Sequence, residues 1–298
     1  MKQITLEELL EAGCHFGHQV TRSNPKARDF VFEARDNIQI IDLAKTKEGL
    51  EEALKFVEAL GERGGNLLIV GTKRQARPII DEEIARVKEL LKDDKTDSIN
   101  KLFYITQRWI GGVLTNFQEV SKNFQKLKDL EEKLVSSEEK AKYTKKEVGQ
   151  WDRERQRLDS FYKGIINMKQ KPDAIFIVDS HLENLAVKEA LSVGVPTVAI
   201  VDTNADPFLI NYPIPANDDA VGSIKLIVGY IMDAWVEGIK NQKPPKVEEP
   251  KTEKIKTKEE KPSEVKAEVK KEVKKAAPKK EKTEKKAVKA KNSKEKII

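Results

Sequence analysis

Apolar residues fall along this chain in two rhythms. Short, near-continuous apolar runs occupy residues 67–70, 174–178 and 197–201. Each is followed by a polar turn (Gly71-Thr72-Lys73, Asp179-Ser180-His181 and Asp202-Thr203-Asn204) and then by apolar positions at helical spacing. An unbroken apolar run suits a strand buried on both faces, so the pattern predicts a parallel sheet covered by helices, with right-handed crossovers. Phe103-Tyr104-Ile105 offers a further strand. The helices predicted after these strands span 79–91, with Pro78 accommodated in the first turn, then 182–193 and 220–239. Upstream, Leu50, Ala53, Leu54, Val57 and Leu60 repeat at helical spacing and stop before Gly64-Gly65. Thr5 and Glu8 have the spacing of a capping box, predicting a short helix over 6–12 that ends at Gly13. Residues 30–32 and 38–41 read as a hairpin turning at Asp36-Asn37.

One stretch breaks the alternation of strand and helix. Between 117 and 162, apolar residues stand at 117, 120, 124, 127, 130 and 134, then at 148, 151, 158 and 162, with charged residues between them. This predicts two long amphipathic helices with a coiled-coil seam. Polar residues 136–143 would link them, and Thr144 with Glu147 forms a second capping box where the return helix begins. At 1.5 Å per residue, about 18 residues would extend such a hairpin by about 25 Å.

Charge changes the picture at the C-terminus. Of the 56 Lys and Arg residues, 21 lysines lie in 241–298, beside 11 of the 50 acidic residues. The formal net charge of +6 therefore hides a net +10 tail and a net −4 body over 1–240. The tail has no aromatic residue and a Lys/Glu/Val/Ala texture, so its composition predicts a disordered segment. The expected organisation is an α/β domain formed by 1–116 and 164–240, a hairpin over 117–163 and a disordered tail over 241–298. A single cysteine, Cys14, excludes a disulfide framework. No apolar run approaches the roughly 18 residues of a membrane span, and the polar N-terminus lacks a signal-peptide core, so a soluble, cytoplasmic protein is expected.

Candidate chemistry follows from these placements. Ligands of open parallel sheets bind outside the carboxyl ends of the strands, where Lys73, Asp179, His181, Asp202 and Asn204 would gather. Gly71-Thr-Lys-Arg-Gln75 spells neither a dinucleotide fingerprint nor a phosphate loop, and polar residues at strand ends also cap helices, so no catalytic residue is expected. Cys14, His15 and His18 are possible metal ligands without a second Cys/His pair, and the segment is read as packed, with Phe16 buried and no metal or other cofactor. Three basic clusters point elsewhere. Arg22, Asn24, Lys26 and Arg28 sit in a turn-forming loop; Lys73, Arg74 and Arg77 surround a helix start, where free amides favour anions; and Arg108-Trp109 precede Gly111-Gly112 and Asn116. On an acidic body, such clusters predict localised contact with the phosphates of an irregular RNA.

The wording of several segments is also familiar. Leu9-Leu-Glu-Ala-Gly-Cys-His-Phe-Gly-His18, Asn24-Pro25-Lys26, Gly71-Thr-Lys-Arg-Gln75 and Arg108-Trp-Ile-Gly-Gly-Val-Leu-Thr-Asn-Phe117 resemble the bacterial family of the second protein of the small ribosomal subunit. Residues 172–179, 202–207 and 214–219 continue the resemblance in order. It implies a flavodoxin-like or Rossmann-like sheet, a protruding coiled-coil hairpin, no catalysis, and a structural place on the ribosome bridging the head and body of the small subunit. It also implies 16S rRNA as partner, contacted through Arg22, Asn24, Lys26 and Arg28 and through hairpin lysines such as Lys122, Lys126, Lys145 and Lys146. Neighbouring small-subunit proteins, including the large first protein, are implied as further partners, with neither membrane nor DNA. The chain departs from the family at Ser23, where an aromatic residue is frequent. The alternative left by the residues themselves is a small-molecule enzyme or sensor using the strand-end crevice.

Overall fold

The computed structural model describes residues 4–92, 100–137, 140 and 142–242. Of the C-terminal segment 241–298 expected to be disordered, Asn241 and Gln242 close the last helix, their amides donating to the Glu237 and Ile239 carbonyls at 3.0 Å, and residues 243–298 lie outside the described residues, as do parts of the hairpin linker.

The chain opens with α1 (Leu6–Glu11), whose first turn is capped by the Thr5 hydroxyl accepting from the Glu8 amide at 3.2 Å. Three antiparallel strands follow: β1 (Phe16–Gln19), β2 (Val31–Arg35) and β3 (Ile38–Ile41), in the order β1-β3-β2. Asp36 and Asn37 both take positive φ, at 48° and 63°, which suits the tight hairpin predicted there. β1 was not foreseen, because Gly17 and His18 interrupt any apolar alternation. The strand is instead dictated by its neighbours. A Cβ on Gly17 would lie 2.7 Å from Thr203 Cγ2, so glycine is needed for this ribbon to lie against the main domain. Phe16, expected in the core, is 49% exposed, while Cys14 is the fully buried residue of that segment.

Helix α2 (Leu43–Glu62) starts earlier than its apolar repeat, since Asp42 caps it by accepting from the Ala44 amide at 2.9 Å. The main sheet comprises β4 (Leu67–Val70), β5 (Leu102–Ile105), β6 (Ala174–Ile177), β7 (Thr197–Val201) and β8 (Tyr212–Pro215). All five are parallel, in the order β5-β4-β6-β7-β8. That order is the flavodoxin-like one, with its topological switch point between β4 and β6. The fold class expected from the sequence is thus the one observed. β8 escaped prediction because Pro213 and Pro215 sit inside it. Proline is tolerated here because the strand lies at the sheet edge, and α2 covers it, with the Thr46 hydroxyl donating to the Pro215 carbonyl at 2.5 Å. At the opposite edge, the Tyr104 amide of β5 donates to the Gly164 carbonyl at 3.2 Å.

One face of the sheet buries Leu67, Ile69, Phe176 and Val198 under α2, α3 (Ala76–Leu90) and α7 (Val221–Lys240), around the fully buried Trp235. Here α2 and α7 cross closely: a Cβ on Gly238 would stand 2.2 Å from the Glu58 carbonyl. The other face buries Leu68, Val70, Ile175 and Ile177 beneath α6 (Asn184–Val193) and the base of the hairpin. The hairpin helices are α4 (Phe117–Val135) and α5 (Lys145–Tyr162). They run antiparallel: Phe124 meets Tyr162 edge-on at 5.4 Å, Lys126 pairs with Glu154, and Lys133 lies over the Trp151 ring at 5.8 Å. The Thr144–Glu147 capping box forms in both directions. Val120, Phe124 and Tyr162 belong to the same core as the sheet face, so the hairpin is rooted in the body. Among the described residues, no helix is long and apolar enough to cross a membrane.

Candidate functional site

The carboxyl ends of β4, β6 and β7 meet at the switch point, where an α/β sheet ordinarily receives its ligand. Here the crevice is filled from within. Lys73, in the turn after β4, reaches Asp179 at 2.9 Å, Asp218 at 2.7 Å and Asp219 at 2.8 Å. Burial pulls the Lys73 ammonium down, but Asp218 and Asp179 outweigh it, and its pKa lies above the ordinary lysine value. Asp218 is raised above a normal carboxyl, first by burial and then by Asp179 and Asp202, with Lys73 opposing. Asp219, more exposed, is lowered: burial raises it, but its hydrogen bond and attraction to Lys73 win. Asp179 also accepts from the Leu182 amide at 2.7 Å, which closes the turn before α6; the helix itself starts at Asn184 after Glu183, which makes no side-chain cap bond, so Asp179 does not cap it as its position at the strand end suggested.

His18 joins this cluster from β1. Its Nδ1 lies 3.1 Å from Asp202 and its Nε2 3.5 Å from Asp219 and 3.2 Å from Asn204 Nδ2. The Asp202 hydrogen bond raises the His18 pKa against the opposing effect of burial. His181, grouped with these residues by sequence, is instead exposed at the start of the turn before α6. The three candidate metal ligands are dispersed. Cys14 is buried, with its thiol pKa raised by that burial, His15 lies against the Phe16 ring at 4.0 Å, and only His18 points into the acidic cluster. His18, Asp218 and Asp219 place one donor atom each within 4.8 Å of one another, a set whose imidazole and carboxylate donors could hold a divalent cation. Sequence reasoning missed this grouping because two hundred residues separate His18 from the Asp pair.

The basic loop packs beside the same cluster. Residues 20–30 form two 3-10 turns, Val20–Arg22 and Pro25–Phe30, in place of an irregular loop. Asn24 caps the second by accepting from the Lys26 amide at 3.0 Å, and its own amide donates to the Thr203 carbonyl at 2.7 Å. Lys26 pairs with Asp206 at 2.5 Å. Arg22 and Arg28 project from this frame, exposed. Arg74 is likewise exposed, whereas Arg77 turns inward to the Thr72 carbonyl at 2.9 Å and to Gln107 at 3.1 and 3.2 Å.

The third cluster hangs on one carboxylate that the sequence did not mark. Glu189, on α6 and only 6% exposed, accepts from Trp109 Nε1 at 3.1 Å and from the amides of Gly112, Leu114 and Thr115 at 2.8, 3.2 and 3.3 Å. The Thr115 hydroxyl adds a fifth bond at 3.0 Å. Burial raises the Glu189 pKa, but these donors prevail and hold it below the usual carboxylate value. The Trp109 indole is consequently buried, while Arg108 and Asn116 stay on the surface. On the hairpin, Lys122 pairs with Glu119 at 2.6 Å and Lys126 with Glu154; Lys145 and Lys146 lie exposed in the first turn of α5.

Fold and site together define a flavodoxin-like α/β protein with a rooted helical hairpin, whose switch-point crevice is occupied by its own lysine and carboxylates and which, among the described residues, carries exposed Arg22, Arg28, Arg74 and Arg108 on surface turns and loops. The family model described as ribosomal protein S2 matches residues 9–238, and the chain belongs to that family. It is similar to proteins named small ribosomal subunit protein uS2 from three bacteria. The Fusobacterium nucleatum protein is 42% identical over 259 residues, 87% of this chain and 98% of the relative. The Roseiflexus castenholzii protein is 47% identical over 79% of this chain and 84% of its own, and the Solibacter usitatus protein 45% over 80% and 74%.

Proposed function

We propose that this protein is a structural constituent of the small ribosomal subunit, held on 16S rRNA between head and body and contributing to translation by position alone. The family match over residues 9–238 carries the reading, and the occupied switch-point crevice supports it, since a small-molecule ligand would have to displace Lys73 from three carboxylates. Arg22, Arg28, Arg74 and Arg108 present exposed guanidinium groups suited to phosphate oxygens, and the hairpin acts as a coiled-coil arm bearing Lys122, Lys126, Lys145 and Lys146. Asn24, Lys26, Lys73, Arg77 and Trp109 hold the frames from which these cations project; Asn116 lies where the arm begins. Neighbouring small-subunit proteins, the large first protein among them, would complete its contacts in the cytoplasm.

The test is sedimentation of cell extract with the tagged full chain, which is expected to travel with small subunits. Confinement to the soluble top fractions overturns the proposal. In purified form, Arg22→Ala combined with Arg28→Ala is expected to reduce the salt dependence of rRNA binding by about 0.7 to 0.9 of a log-log slope per lost phosphate contact.

A further inference from the structure

We propose a second RNA-binding surface at the amino-terminal end of the main sheet, remote from the basic turns described above. It is a groove of about 980 Å³ between β5, the loop leading into β6 and the flank of α4. Its position is set by topology. Asn66 and Lys101 directly precede parallel strands, and Lys169 lies in the loop before β6, so all three stand at the end of the sheet opposite Lys73 and Arg108.

The chemistry of the walls names the ligand class. Lys101, Lys122, Lys128 and Lys169 line the groove, and among its described lining residues there is no Asp or Glu. The remaining polar lining consists of one serine and the carboxamides of Asn66, Asn100, Gln125, Asn167 and Gln170. Asn66 is held by Asp173, which accepts from its side chain at 3.2 Å, and Gln125 is held by Asp129 at 2.8 Å. The floor is apolar, formed by Phe103, Phe124, Ile166 and Met168, three of them buried in the core, so its shape is fixed by the fold. Ammonium groups on flexible stems attract phosphates as point charges. Carboxamides donate and accept together, which is what 2′-hydroxyls and the edges of unpaired bases require, whereas the carboxylates that would distinguish an acidic peptide only accept. The volume stands at the top of the range of about 300–1,000 Å³ for sites that bury a drug-sized ligand. A short single-stranded stretch or bulge of RNA therefore fits better than a free nucleotide or an acidic peptide. Lys122 is paired with Glu119 at 2.6 Å, but both are exposed, and such a solvent-screened pair is readily exchanged for a phosphate.

This inference rests on the RNA-binding reading and shares Lys122 with it, but Lys101, Lys128 and Lys169 belong to the groove alone, so the two can fail separately. The experiment uses the full chain with protein-free 16S rRNA and compares wild type, a groove variant (Lys101→Gln, Lys128→Gln, Lys169→Gln) and a turn variant (Arg22→Ala, Arg28→Ala), each first shown to melt like wild type. Affinity is measured against salt, and crosslinks from 4-thiouridine-labelled rRNA are mapped by mass spectrometry. The groove variant is expected to lose about 2 from the log-log salt slope, at about 0.7 per lysine for single-stranded contact. Crosslinks to peptides containing Phe103 or 166–170 are expected to disappear with it. An unchanged slope in the groove variant, with a reduced one in the turn variant, overturns the second surface and leaves the first standing. Failure of the wild-type chain to bind rRNA at all overturns both.

Discussion

Removing the Glu189 carboxylate is expected to cost this protein more than any surface charge. The side chain is buried and accepts five hydrogen bonds from the segment 109–115, those from the Trp109 indole and the Leu114 amide lying in buried surroundings. Glu189→Ala leaves these donors without an acceptor, and a buried donor stripped of its partner costs about 1–3 kcal/mol. Partial access of water at Gly112 and Thr115 and mutual relaxation keep the total below the sum, so the expected loss is about 3–5 kcal/mol. For a body of this size each kcal/mol lowers the melting temperature by about 2–4 °C, which puts the fall at about 6–20 °C. Glu189→Gln retains one acceptor oxygen but turns an NH2 group toward the Leu114 and Thr115 donors, so it should recover only part of the loss. Because the folded carboxyl has a lowered pKa, its contribution is present above the ordinary Glu value of about 4.3 and fades as pH falls through the folded value. The gap between wild type and Glu189→Gln should accordingly narrow below pH 4. The assays are calorimetric melting across pH 3 to 7 and the indole resonance of Trp109. A melting point within about 2 °C of wild type, with the indole resonance unmoved, would refute the account of Glu189 as the organiser of this loop.

Other outcomes follow from the same contacts. Lys73→Met should destabilise the body by about 3–5 kcal/mol, because Asp179 stays buried without its counter-ion and Asp218 loses its hydrogen-bond donor, as denaturant titration at pH 7 would show. The raised pKa of His18 means that its stabilising contribution is complete below about 6.5 and is lost as pH rises through the folded value. His18→Gln should therefore differ more from wild type in melting at pH 5.5 than at pH 9. Gly238→Ala, whose new methyl would meet the Glu58 carbonyl at 2.2 Å, should force α2 and α7 apart at a cost of about 1–3 kcal/mol, read as a lowered denaturant midpoint.

The central strands were legible because burial on both faces leaves an uninterrupted apolar run, and the hairpin because its periodicity persists over two helices with a capping box at the return. β8 was not, since two prolines cancel strand propensity in any local reading; only its place at the rim of the sheet makes them tolerable. β1 is a strand by virtue of Thr203, nearly two hundred residues away, whose hydroxyl accepts from the His18 amide at 2.9 Å. The site divides in the same way. That Lys73 and Asp179 stand at strand ends follows from periodicity, but that they neutralise each other depends on Asp218 and Asp219 arriving from the far edge of the sheet. Trp109 beside Arg108 read as an aromatic for RNA, whereas Glu189 draws its indole inward. No local pattern distinguishes a glutamate on the solvent side of a helix from one that gathers five donors beneath it.

Both rims of the five-stranded sheet are occupied, one by the Gly164 carbonyl on β5 and the other by the prolines of β8 under α2. An open rim is a template for pairing between copies, and a strand lacking amide protons at two of its four positions cannot serve as one. The five-stranded sheet thus offers a second copy no open rim on which to extend it, and growth of strand upon strand through this sheet is blocked at both ends.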